Sequence, residues 1–264
     1  MNVAVAENVK DQLETRLKEL HLPTVRRCYE PVARQAQQET LSYERYLLQL
    51  TERECEERQQ NRIARLLRQS RLPLEKDLAS FDLKRLPKKA AQQARTLLEG
   101  GFIDRKENVL AFGNPGSGKT HLLCAIGQEL LRASGGTRKV SFYPCALLVQ
   151  DLLIAKRDLK LSRALKRLGT CDVLILDDLG YVQQNREEME VLFTLLAERY
   201  ERGSVMLTSN LPFSKWELIF KDPMTTAAAI DRLVHHSVIL ELNIPSYRLE
   251  HAKQAKQEKG ESGS

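Results

Sequence analysis

Apolar residues at Val9, Leu13, Leu17 and Leu20 recur every three to four positions, the spacing that lines one face of a helix. Pro23 closes that element, and a second helix is expected from about Thr24. A third is expected from Ser42 to Ser70. Tyr43, Tyr46, Leu47 and Leu50 open it, a charged middle runs from Glu52 to Arg62, and Ile63, Leu66 and Leu67 close it. From Glu107 the pattern changes. Val109–Phe112, Val140–Phe142, Val173–Leu176, Val205–Thr208 and Val238–Leu242 are short apolar runs separated by helix-length segments. That alternation predicts βαβ units and a parallel sheet. The expected fold is α/β: a five-stranded parallel sheet flanked by helices, preceded by a small all-α N-terminal domain.

Composition sets the expected boundaries. Residues 1–75 hold no glycine, and 13 basic residues there face 12 acidic ones. A mixed-charge helical region of this kind is either a solvated face or a docking surface for a partner protein. Residues 76–106 are expected as a basic linker. Lys84, Arg85, Lys88, Lys89 and Arg95 lie in a stretch with no acid between Lys84 and Thr96. Residues 107–250 then form the α/β domain, and the polar residues 251–264 a disordered tail.

The chain has 264 residues with 41 basic and 35 acidic side chains, a net charge of +6. That mild excess permits nucleic-acid binding without showing it. No apolar run approaches the ~20 residues of a membrane span. Met1–Glu7 shows no secretory leader, so a cytoplasmic protein without membrane contact is expected. Cys28, Cys55, Cys124, Cys145 and Cys171 are odd in number and contain no C-x-x-C pair. They are expected as reduced thiols packed in the core. His235-His236 is an isolated pair with no cysteine nearby.

The chemistry concentrates at the ends of the apolar runs. Val109–Phe112 leads into Gly113-Asn114-Pro115-Gly116-Ser117-Gly118-Lys119-Thr120, followed by a helical run from His121. Phosphate binding requires that order. Glycines admit positive φ and close approach. Successive N–H groups then form an anion nest, and the helix start adds its dipole. Gly113, Asn114, Pro115, Gly116, Ser117, Gly118, Lys119, Thr120 and His121 are the candidate nucleotide-binding residues. Lys119 is expected on the β- and γ-phosphates of ATP, and Thr120 on Mg²⁺.

Val173–Leu176 ends in Asp177-Asp178, and carboxylates of a buried strand belong at its carboxyl edge, where open α/β sheets bind ligands. Asp177 is the second candidate Mg²⁺ ligand; Asp178, on the other side of the strand, is the candidate to orient the attacking water. Val205–Ser209 leads to Asn210, expected beside the γ-phosphate. Arg232 suits charge building on phosphoryl oxygens, acting across a subunit boundary. The structural alternatives are turn aspartates, an Asn-Leu-Pro turn and a surface ion pair of Arg232 with Asp231.

Gly113–Thr120, Leu174–Asp178, Thr208–Asn210 and Asp231–Arg232 resemble the Walker A, Walker B, sensor I and arginine-finger motifs of AAA+ ATPases of the DnaA/DnaC clade. Glu198–Arg202, Leu207–Phe213, Trp216, Asp231–His236 and Ser246–Leu249 resemble more narrowly the IstB-like helper ATPases of insertion-sequence transposition. The resemblance implies an AAA+ P-loop core that binds ATP with Mg²⁺ and hydrolyses it. It implies assembly into a ring or filament on duplex DNA and engagement of a partner transposase. It also implies that Arg232 enters the ATP site of a neighbouring copy. Aspartate stands at 178 where the family often carries glutamate, one methylene longer. Arg248 is the candidate sensor II arginine.

Lys156, Arg157, Lys160, Arg163, Lys166 and Arg167 are six basic residues against one acid within twelve positions. Arg163, Lys166 and Arg167 share a helix face. The stripe is either a solvated face or a track for DNA phosphates, and with few aromatics it suits sequence-independent backbone contact. A helicase loader of the DnaC type and a small-molecule kinase are the competing functions. The first would dock on a helicase; the second would need an acceptor pocket and no inter-subunit arginine.

Overall fold

Each of the five runs expected as strands is a strand, in a computed structural model that describes residues 2–180, 186–217, 223–247 and 250. Three helices come first: α1 (Asn2–Glu19), α2 (Pro23–Gln38) and α3 (Tyr43–Gln69). Next are α4 (Lys88–Leu98), the single turn α5 (Gly101–Asp104), β1 (Asn108–Gly113) and α6 (Lys119–Ala133). β2 (Val140–Pro144), α7 (Cys145–Arg157), α8 (Leu161–Gly169) and β3 (Val173–Leu179) follow. The described chain closes with α9 (Arg186–Arg199), β4 (Ser204–Ser209), α10 (Pro223–Val234) and β5 (Ser237–Leu242). The strands pair in parallel in the order β2-β3-β4-β1-β5.

The sheet is covered on both faces, as a parallel sheet with crossover helices must be. Alternate residues therefore go to opposite layers. Leu110, Leu174, Leu176, Val205 and Leu207 join one cluster with α7, α8, α9 and α10. Val109, Ala111, Val173, Ile175 and Met206 join the other with α4, α5 and α6. Two buried polar side chains lock the amino edge. Asn108 accepts from the Val205 N–H and donates to the Leu233 carbonyl. Arg199 donates to the carbonyls of Leu168, Cys171, Asp172 and Ser204.

Residues 76–106 do more than connect. α4 buries Ala90, Ala94 and Leu97, and α5 buries Phe102 and Ile103, all in the core beside α6. Of the basic residues that suggested a linker, Lys88, Lys89 and Arg95 occupy the exposed face of this amphipathic helix, while Lys84 and Arg85 lie in the turn before it. The cysteine expectation holds only in part. Burial pushes the Cys124 and Cys145 thiols up to about 12. Cys28 and Cys171 are half-buried, and Cys55 is exposed on the charged helix α3. Residues 251–264 and Arg248 lie outside the described residues.

By contacts the chain divides into two units, Met1–Arg65 and Leu66–Ser264. In the first, Leu17, Val25, Val32 and Leu50 form the core, while Val9 and Leu13 of α1 and Leu20 in the turn after it stay exposed. Pro23 serves as the first residue of α2, where a missing N–H is harmless. Glu54 reaches the same helix start. It accepts from the Thr24 and Val25 N–H groups at 2.9 and 3.0 Å and from Arg58 at 2.8 Å. Burial raises its pKa, but these donors outweigh burial and hold the carboxyl below the usual range. A carboxylate with a lowered native pKa stabilises the fold above its unfolded pKa and loses that contribution as pH falls through the native value. Denaturant midpoints read at the N-terminal helices are expected to fall on acidification below the ordinary glutamate range. Glu54→Gln should flatten that dependence; an unchanged pH profile would refute the role.

Candidate nucleotide site

The phosphate loop hangs between β1 and α6, at the carboxyl edge of the sheet. Gly113 has φ 152°, and a Cβ there would strike the Leu242 carbonyl of β5. Gly118 has φ 90° and precedes the first residue of α6, with Phe81 3.0 Å from where a Cβ would stand. Conformation disfavours a side chain at both positions, and at Gly113 the Leu242 carbonyl also leaves no space for one.

Lys119 is buried, and its ammonium donates to the Gly113 and Asn114 carbonyls at 2.9 and 3.0 Å and to Asn210 Oδ1 at 2.6 Å. Thr120 donates to Asp177 Oδ1 at 2.7 Å. Thr208, at the end of β4, donates to the same oxygen at 2.7 Å. The loop lysine, the β3 carboxylates and the β4 asparagine, separate in sequence, therefore meet at one place.

Asp178 departs from plain strand alternation. The β3–β4 register runs Leu176↔Leu207 and then Leu179↔Ser209, so two residues of β3 face one of β4. Such a bulge re-aims a side chain. Asp178 takes φ 60° at the bulge, and its N–H donates to Thr208 Oγ1 at 2.8 Å. Alternation would have sent it to the far side of the strand. Instead it lines the same cavity as Lys119, Thr120 and Asn210.

That cavity has a volume of about 250 Å³. Beyond the loop it is walled by Phe81, Asp82, Arg85, Ile244 and Tyr247, none of which is marked by the sequence as a site residue. The Arg85 guanidinium stacks 5.0 Å from the Tyr247 ring centre and pairs with Glu250. The Tyr247 N–H donates to the Gly116 carbonyl at 3.0 Å. His121 faces Phe81 edge-on at 5.1 Å, with Nε2 2.9 Å from the Asp77 carbonyl. The cavity thus has a polar phosphate end and an aromatic end with a cation beside it.

The family comparison agrees with this geometry. The family described as IstB-like ATP binding protein matches residues 15–255.

The chain belongs to the IstB-like ATP-binding proteins.

It is 42% identical over 245 residues to an insertion-sequence ATP-binding protein of Sinorhizobium fredii, covering 92% of this chain and 81% of the relative. It is 37% identical to the ATP-binding protein of insertion sequence IS21 from Pseudomonas aeruginosa, covering 92% of this chain and 91% of the relative. DnaA from Aquifex aeolicus, solved with AMPPCP, matches in fold with TM-score 0.55 at 19% identity, over 71% of this chain and 56% of its own. DnaI matches with TM-score 0.51 at 23% identity, over 65% of this chain and 94% of its own. The chain is therefore an insertion-sequence ATP-binding protein whose α/β domain shares the fold of DnaA and DnaI.

Two groups of candidates lie away from the cavity. Arg232 is at the opposite edge of the sheet. Its carbonyl accepts from Asn108, the first residue of β1, at 3.4 Å. Its guanidinium donates to the Ala228 carbonyl at 3.1 Å and lies 4.7 Å from the Phe193 ring centre. Five residue steps of strand separate Asn108 from Gly113, roughly 17 Å at 3.3 Å per step. The basic stripe is on α7, α8 and their junction. Lys156 pairs with Glu190 at 2.9 Å and Lys160 with Asp158 at 3.3 Å. Among the described residues no ion pair holds Arg157, Arg163, Lys166 or Arg167, and all four are exposed.

Among the described residues, one group has the composition of a metal site: Glu201, His235 and His236, all exposed. No helix described is long and apolar enough to cross a membrane.

Proposed function

We propose that this protein is an ATP-hydrolysing helper of insertion-sequence transposition, cytoplasmic, assembling on duplex DNA and recruiting a partner transposase. The observation that carries the reading is the convergence of Lys119, Thr120, Asp178 and Asn210 on one cavity, with Asp177 bonded to Thr120 beside it, in a chain of this family. The loop from Gly113 to Thr120 cradles the phosphates of ATP. Lys119 exchanges its carbonyl acceptors for β- and γ-phosphate oxygens. The aromatic end, between Phe81 and Tyr247, takes the adenine.

The Thr120 hydroxyl and Asp177 carboxylate, 2.7 Å apart, are a hard-oxygen pair fitted to Mg²⁺. Bound there, the ion would neutralise charge on the phosphates. Asp178 accepts a proton from the attacking water as its oxygen bonds to the γ-phosphorus and the bond to the β-phosphate oxygen breaks, giving ADP and phosphate. Asn210, 3.5 Å from Asp178 and 2.6 Å from Lys119, holds the γ-phosphate or the water between them. Arg232 is too far to serve its own site and completes that of a neighbour. Arg157, Arg163, Lys166 and Arg167 track DNA phosphates, and the helical N-terminal unit engages the transposase.

Electron microscopy of the protein on duplex with a non-hydrolysable ATP analogue tests this. Rings or filaments that need both nucleotide and DNA are expected. Single, unattached molecules under those conditions would defeat the proposal, and capture of a replicative helicase instead of a transposase would favour the loader.

A further inference from the structure

The junction of α7 and α8 carries a side chain that folding does not explain. Leu159 is 95% exposed, more than any other large apolar side chain described. It sits where the chain leaves α7, one residue beyond the cap Asp158. Its N–H donates to the Lys156 carbonyl at 3.1 Å, and the Lys160 N–H to the Ala155 carbonyl at 2.7 Å. These two bonds make the helix ending whose first outside residue takes the left-handed conformation, a place glycine usually fills. Leu159 adopts it with φ 56°. Of the seven described non-glycine residues with positive φ, the other six are His21, Thr40, Arg71, Lys106, Asp178 and Glu201, all polar. At this one turn the chain accepts both backbone strain and an apolar group in water.

The surroundings indicate what the side chain meets. Asp158 and Lys160 flank it directly and pair with each other at 3.3 Å, Arg157 precedes them, and Arg163, Lys166 and Arg167 continue along α8. With the one acid of the stretch paired to Lys160, an apolar tip on a segment of net positive charge is repelled by neither groove floor nor phosphate rails of a duplex. Proteins that deform DNA insert such aliphatic side chains between base steps while neighbouring cations hold the backbone. The two hydrogen bonds of the turn fix the backbone that carries the side chain, so insertion restricts the main chain little further.

We propose that Leu159 is an apolar wedge that enters a base step of the bound duplex and unstacks it. The inference rests on the reading of the α7–α8 stripe as a DNA-binding surface. A wedge costs least at flexible pyrimidine–purine steps, so it gives a protein that contacts only backbone a preference among sites by deformability.

The test uses the full chain, a non-hydrolysable ATP analogue and a duplex with 2-aminopurine at a single TA step. Leu159→Gly is the informative variant, because glycine relaxes the left-handed turn and the fold is not placed at risk. Wild type is expected to raise 2-aminopurine fluorescence roughly twofold or more as the step unstacks. Leu159→Gly should bind the same duplex with an unchanged salt slope and give no rise. Arg163→Ala, by contrast, should lower the salt slope by about 0.9, because one phosphate fewer is neutralised on binding. Equal fluorescence in wild type and Leu159→Gly, or no rise in either while both bind, overturns the wedge and leaves backbone binding standing. A wild type that binds no duplex overturns the DNA-binding surface itself, and the wedge with it. Loss of self-association by Leu159→Gly without DNA overturns the wedge too, assigning the side chain to a protein interface.

Discussion

Lys119→Ala is expected to weaken ATP binding at least about a hundredfold, corresponding to two charge-assisted hydrogen bonds of about 1.5–3 kcal/mol each. The ammonium is buried and held by the Gly113 and Asn114 carbonyls and by Asn210. It is the one formal positive charge of the Gly113–Thr120 loop, and no other residue of the loop replaces it opposite a triphosphate. The truncation also leaves two carbonyls without their donor, so some loss comes from a rearranged loop. Asn210→Ala separates the two effects. It removes one lysine acceptor, leaves the loop carbonyls paired, and should lower hydrolysis far more than affinity. Titration of each variant with a fluorescent ATP analogue, alongside thermal melting, reads both. Lys119→Ala affinity within threefold of wild type would refute the phosphate site.

The parts of this site that lie within one stretch of sequence are legible there; the parts that depend on folding are not. The loop from Gly113 to Thr120 announces itself because its glycines, lysine and threonine are contiguous and their spacing is fixed by phosphate geometry. The ends of β3 and β4 are nearly as clear, since carboxylates and an asparagine terminate runs that are otherwise buried. Asp178 shows the limit. Alternation predicts the far side of the strand, and only the register with β4 reveals the bulge. Phe81, Arg85 and Tyr247 form the aromatic end through contacts between segments some 160 residues apart. No local pattern marks them, although Tyr247 lies in the Ser246–Leu249 stretch that resembles the family. α4 is hidden for a different reason. Its buried face is built of Ala90, Ala94 and Leu97, and alanines give little hydrophobic contrast against Lys88, Lys89 and Arg95. A basic amphipathic helix and a basic linker then look alike.

Arg232→Ala is expected to leave ATP affinity unchanged and to lower hydrolysis by about a thousandfold, the lower end of what a transition-state arginine contributes. The argument is one of distance. Arg232 is anchored through Asn108 at the start of β1, and the phosphate loop begins at the other end of that strand. An arginine side chain does not span that length, so any contact with phosphate is made on another copy. Packing supplies the rival explanation, because the guanidinium lies over Phe193 and bonds the Ala228 carbonyl. A loss of α9–α10 packing would lower the melting temperature, and Phe193→Leu would reproduce the defect. A finger missing in trans would do neither. Mixing decides the matter. An Arg232→Ala copy retains an intact Asp178 site, and an Asp178→Asn copy retains an intact arginine. In a head-to-tail assembly formed at random from equal amounts, roughly a quarter of the interfaces join the two intact halves. Hydrolysis by the mixture should rise toward that fraction of wild type although each variant alone is nearly inactive. A mixture no faster than the mean of its components would place Arg232 outside the reaction and leave the subunit boundary without its arginine.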